Sequence, residues 1–162
     1  MKLLYLAERE SLLRYGSSIT NDAFVSMPHG PVLSMTLDCI NGFRTYDSNC
    51  WNTWIADREE NHLVLAAPGM IRSTDDLREL SESDVEALDS VWKEYGYYSA
   101  TKLRDITHSS FCPEWEDPEG YSKPISMKKL LTSIGYNDSQ ANSIIQNMQV
   151  QSNLAESFQS CL

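Results

Sequence analysis

The sequence predicts a mainly α, compact multi-helix domain with a small β-hairpin insertion, on three observations. Several stretches place apolar residues at helical spacing, most of them ended by a glycine suited to a helix stop. The stretch 22–32 refuses helix although helical signals lie on either side of it. Residues 51–66 set aromatic and β-branched side chains around a charged connector, the pattern of two paired strands. With 162 residues, of which 41% are hydrophobic and 10% aromatic, the chain is long enough to bury a core and reads as one domain.

Residues 1–15 read as the first helix, with Leu3, Leu6, Ala7 and Leu13 on one face and Leu4, Tyr5 and Leu12 beside them. Apolar residues nearly encircle its first half, so that half is expected to be buried, while Glu8, Arg9, Glu10 and Arg14 solvate the rest. Gly16 is placed to stop it. In the stretch that follows, Phe24, Val25 and Met27 suit extended backbone, and Pro28 and Pro31 flank His29 and Gly30. Each proline fixes its own φ, removes a donor and pushes the preceding residue away from α. Gly30 can take a φ that other residues avoid. Phe24, Pro28, Gly30 and Pro31 thus form a rigid elbow that presents Met27 and His29 in set directions.

Beyond the elbow, residues 32–40 fit a short helix with Leu33, Leu37 and Ile40 inward, Pro31 near its first turn and Asn41-Gly42 closing it. The polar run 44–49 is expected to loop out. A hairpin then pairs residues 51–56 with 62–66 across the polar loop 57–61. Residues 75–80 suit a turn of helix. A firmer helix carries Val85, Leu88, Val91, Trp92 and Tyr95 as an apolar stripe, opened by a capping box from Ser81 and Asp84 or from Ser83 and Glu86. Ser99 caps another helix that runs through His108, with Ala100, Leu103 and Ile106 inward. Residues 111–123 are irregular and acidic. Met127, Leu130, Leu131 and Ile134 stripe the next helix. Asn137 and Gln140 then form a second capping box before a long final helix marked by Ala141, Ile144, Ile145, Met148, Leu154, Ala155 and Phe158. The outer face of that helix is Gln, Asn and Ser, which suits docking on something.

The net charge of −10 argues against nucleic acid as a ligand, because phosphate binding needs concentrated Lys and Arg. It favours encounter with a basic partner. The four cysteines, Cys39, Cys50, Cys112 and Cys161, include no C-x-x-C pair. With no leader pattern and no apolar run long enough for a bilayer, the expected setting is cytoplasmic, with reduced thiols. No metal and no cofactor is expected.

Three histidines, His29, His62 and His108, are available for chemistry, but no H-E-x-x-H, G-x-S-x-G or Gly-rich phosphate loop accompanies them. His108 and Cys112, four apart, are the one local nucleophile–base pair to weigh. No third residue orients them, and a histidine satisfied at a helix end is the preferred reading. His29 could be a ligand, a base or a side chain hydrogen-bonded to hold the elbow; its proline-glycine setting favours the last. Glu79, Glu82, Asp84, Glu86 and Asp89 read as a solvated helix face, or, with the loop 114–119, as a receiver for a basic partner. Trp51 and Trp54 belong to packing, or, if exposed, to an interface. No enzymatic activity is expected.

The chain also resembles the Panacea antitoxin domain, or SocA-like family. The matching pieces are Lys2-Leu-Leu-Tyr-Leu-Ala-Glu8, Arg14-Tyr-Gly16, Ile19-Thr-Asn-Asp22, Phe24-Val-Ser-Met27 and His29-Gly-Pro-Val-Leu-Ser34. They continue with Leu80-Ser-Glu-Ser-Asp84, Val91 to Gly96, Leu103, Ile106-Thr-His-Ser109 and Trp115, so that the motifs span 1–116 and leave a helical part at 123–162. The resemblance implies an antitoxin-type protein, bacterial or phage-encoded, that binds and neutralises a toxin encoded by an adjacent gene. It leaves open a proteolytic adaptor that delivers the toxin to a protease, or a mobile-element protein acting on a host defence factor. Partner contacts are expected at Met27, His29, Trp54 and Trp115, with His108 supporting the elbow. Family members usually carry a helix ahead of the first motif. Here Met1 sits at that motif, so either the chain starts late or its tail replaces that helix.

Overall fold

The computed structural model describes residues 1–43, 48–56 and 62–159. It is mainly α, with a small antiparallel sheet inserted among the helices. Helix α1 (Lys2–Tyr15) is the central element, and Gly16 stops it in the left-handed conformation at φ 63°, its N–H bonded to the Leu12 carbonyl. Tyr5, Leu6 and Leu12 of α1 join Phe24, Leu33, Val91, Leu103, Ile125, Leu130 and Leu131 in one buried core.

The elbow is itself the hairpin. Strand β1 (Phe24–Met27) pairs with β2 (Gly30–Leu33), Phe24 opposite Leu33 and Met27 opposite Gly30, so Pro28 and His29 are the two turn residues. Strand β3 (Lys123–Ile125) covers the other edge of β1. The hairpin expected at residues 51–66 is replaced by helix α3 (Ser48–Trp54) and a bridge between Ile55 and Leu65. Trp51 and Trp54, three apart, fit one side of a helical turn, and the Ala56 N–H to Val64 and the Ala66 N–H to Trp54 tie the two arms. The connector 57–61 lies outside the described residues, as do 44–47 of the expected polar loop and Cys161. Ser48 and Asn49, also placed in that loop, instead open α3.

Helix α2 (Ser34–Asn41) starts later than its apolar spacing suggests, because Val32 and Leu33 remain in β2. Its first turn is capped from a distance. Asp22 accepts the Met35 N–H at 2.8 Å, the Thr36 N–H at 2.7 Å and the Thr36 hydroxyl at 2.8 Å. A short 3₁₀ turn covers Thr74–Asp76. Helix α4 (Glu82–Tyr95) carries the Ser81–Asp84 capping box, and α5 (Ala100–Thr107) takes its cap from Ser99. Helix α6 (Met127–Ser133) is capped by Ser126. Helix α7 (Asp138–Gln159) opens on the reciprocal Asn137 and Gln140 bonds. Tyr136 anchors this last part by donating to the Leu12 and Leu13 carbonyls, each at 3.0 Å.

Two charges expected to be solvated on α1 are buried. Glu8 accepts from the Ser18 and Thr20 hydroxyls and from the Ile19 and Thr20 N–H groups, at 2.6–3.1 Å. The loop after α1 folds back onto this carboxylate, which supplies the backbone partners the loop needs. Arg9 is buried against residues 111–114, described below.

Candidate functional site

Lys2, Tyr5 and Arg9 fall at i, i+3 and i+7, on one side of α1. Together with the end of α5 and the loop behind it, they brace the hairpin turn. Lys2 Nζ donates to the Pro31 carbonyl at 2.7 Å. Gly30, at φ 100°, sits so close to this brace that a Cβ there would lie 2.8 Å from Lys2 Nζ, 2.9 Å from Thr107 Oγ1 and 3.0 Å from His108 Nε2. Thr107 is fully buried and bonds back to the Leu103 carbonyl. The His108 ring stacks on Trp115 with centroids 4.1 Å apart and planes 10° from parallel. The Trp115 indole N–H then donates to the Met27 carbonyl at 3.1 Å, and the Glu116 N–H to Ser26 Oγ at 3.3 Å. The loop 108–116 therefore straps the hairpin to the helical body.

Beneath the strap lies a buried polar cluster. Glu114, with no exposed surface, accepts from Tyr5 Oη at 2.6 Å and pairs with Arg9. Arg9 also donates to the Phe111 carbonyl at 2.7 Å and lies over the Phe111 ring. Glu114 is thus an internal tie of the strap and does not face a basic partner as the acidic loop suggested. Burial lowers the Lys2 pKa to about 8, although the neighbouring Cys112 pulls the other way. Burial, and then the Lys2 ammonium, holds His108 below its ordinary value, against the pull of the His29 main chain. Burial pushes the Cys112 thiol up to about 12. A thiol held there carries almost no thiolate near neutrality, so the His108–Cys112 pair lacks an activated nucleophile.

The structure brings most of the sequence-selected residues to one place. Phe24 is buried edge-on against Tyr5, Pro31 is buried in β2, and Gly30 and His108 meet inside the brace. Met27 and Trp115 are half-buried at its margin, while Pro28 and His29 are exposed at the tip. His108, expected to support the elbow, stacks on Trp115 beside Gly30, whereas His29, also given a holding role, is exposed. Trp54, 37% exposed, stands on α3 and takes no part in the brace. Lys2, Tyr5, Arg9, Thr107 and Glu114 escaped the sequence reading. The one signal for the first three was their spacing along a helix otherwise apolar nearly all round.

The result is a small helical domain that holds one tight, proline-bearing turn at its surface. The model of the antitoxin SocA-like family, Panacea domain, matches residues 1–116, and the chain belongs to that family. No curated protein and no solved structure matches it. Among the described residues, no helix is long and apolar enough to cross a membrane.

Proposed function

We propose that this protein neutralises a cognate toxin by stoichiometric binding, without catalysis, through the preformed surface around the Pro28–His29 turn. The observation that carries the reading is the family match over 1–116, a span that contains every element of the brace, from Lys2 to Trp115. The rigid turn supports it, because a surface ordered before binding loses little conformational freedom on association. The unactivated Cys112 thiol supports a binding role over a catalytic one. The acidic balance suits a basic toxin, such as one directed at RNA or nucleotides. Met27, His29 and Trp115 are the contacts proposed at the turn, with Trp54 as a separate contact on α3. The setting proposed is the cytoplasm of a bacterial or phage-infected cell.

Co-expression with the product of the adjacent gene tests the reading. The expected result is a toxic product whose host grows again when this chain is made, with both proteins recovered as one complex at undiminished toxin level. A harmless neighbour, or rescue without a complex, contradicts it. Loss of the toxin on rescue would point to delivery to a protease.

A further inference from the structure

We infer that the apolar groove between the start of α1, the segment before α4 and α4 itself docks a short amphipathic helix of a partner protein, one with Lys or Arg along its flanks. The groove holds about 500 Å³. Met1 and Leu4 form one wall, Leu77 the end, and Val85, Leu88 and Trp92 the other wall. These last three fall at i, i+3 and i+7, an open apolar stripe two helical turns long. Trp92 is 57% exposed, whereas Ala87 and Val91 on the same helix already serve the core. The surface that fills a stripe of this period is the apolar ridge of another helix.

Charge decides which helix. Asp89 stands on the groove wall, although it pairs with Lys93. Across Leu77 and Val85, Asp75 and Glu82 line an adjoining hollow of about 350 Å³ together with Arg78. Neither Asp75 nor Glu82 is ion-paired among the described residues. A second copy of this chain, with its net charge of −10, would bring like charge to this rim. A basic amphipathic helix brings the opposite charge and is the favoured occupant. The groove lies on the side of α1 away from Lys2, Tyr5 and Arg9, so it is a second surface, distinct from the braced turn. This inference rests on the reading of the chain as a protein-binding domain.

A fluorescein-labelled helical peptide of leucine and lysine, and its leucine–glutamate counterpart, serve as probes in polarisation titrations against the full chain. The leucine–lysine peptide is expected to bind and the leucine–glutamate peptide to fail. Trp92→Ala and Leu77→Glu should each weaken binding by about tenfold, as loss of a central apolar anchor does. Asp75→Lys with Glu82→Lys should weaken it and flatten its salt dependence. Replacement of the exposed Tyr121 by Ala, outside the groove, should leave binding unchanged. Circular-dichroism melts confirm that each variant is folded, and Trp92→Ala, at an exposed position, keeps the test decisive if Leu77→Glu does not fold. Equal binding of the two peptides, or groove variants that bind like the parent chain, would overturn the inference. So would a dimer in sedimentation that Trp92→Ala dissolves. The probe is synthetic, so failure here leaves the co-expression result standing, and failure there leaves this one standing.

Discussion

At the scale of single residues, the turn depends on one position with no side chain. Gly30 combines φ 100° with three polar atoms at or within 3.0 Å of where a Cβ would stand. Gly30→Ala should cost about 1–3 kcal/mol from the left-handed backbone alone, and more as Thr107 and His108 are pushed aside. The shift in urea midpoint measures it. His108 gives a second test. Its folded pKa lies below the unfolded value of about 6.5, so the unfolded chain takes up the proton first. The stability tied to the neutral ring is therefore complete above about pH 6.5 and is lost as pH falls through the lower folded value. The parent chain should lose stability relative to His108→Asn between about pH 7 and pH 5. Parallel midpoints across that interval would contradict the placement of the ring. Sequence reasoning found Gly30, because proline neighbours advertise a special backbone. It named His108 beside the elbow but also gave the His29 ring a holding role, because which ring the strap covers depends on contacts made across the chain.

At the scale of elements, most helices were legible, while α3 and the sheet were not. Apolar periodicity alone placed α6 nearly at its observed start, and local caps did so for α4, α5 and α7, since Ser81, Ser99 and Asn137 act on backbone three residues away. The hairpin went to residues 51–66 because aromatic residues there mimic strand composition. The true hairpin hid in the elbow, where two turn residues and edge pairing with the distant β3 decide the outcome. The same limit concealed the strap. Glu114 looked like surface acid, yet it ties the loop 108–116 to α1 through Tyr5 and Arg9. Glu114→Ala should cost roughly 3–5 kcal/mol, the penalty of leaving a buried charge without its partner. Chemical denaturation checks this, and a loss under about 1 kcal/mol, typical of a surface pair, would contradict it.

At the scale of the whole molecule, α1 divides the labour. One side packs on the strap and the hairpin, and another lies on α4 and borders the open groove. The core fixes the turn's direction, the strap fixes its shape, and the tip at Pro28 and His29 is left exposed. The order and spacing of the motifs were enough to reach the family, because they do not depend on which residues meet across the fold. The brace around the turn does depend on it, and so was not reached from the sequence.

The most direct test of the account is calorimetric titration of the adjacent gene's product with the parent chain and with His29→Ala and Pro28→Ala. Both positions are exposed; His29→Ala should leave stability nearly unchanged, and Pro28→Ala, which frees one turn residue, should cost no more than about 1 kcal/mol. The account predicts tight one-to-one binding by the parent chain and affinity lowered about tenfold or more in the variants, as for contacts at the centre of an interface. Full affinity in both variants, with neutralisation intact, would contradict it.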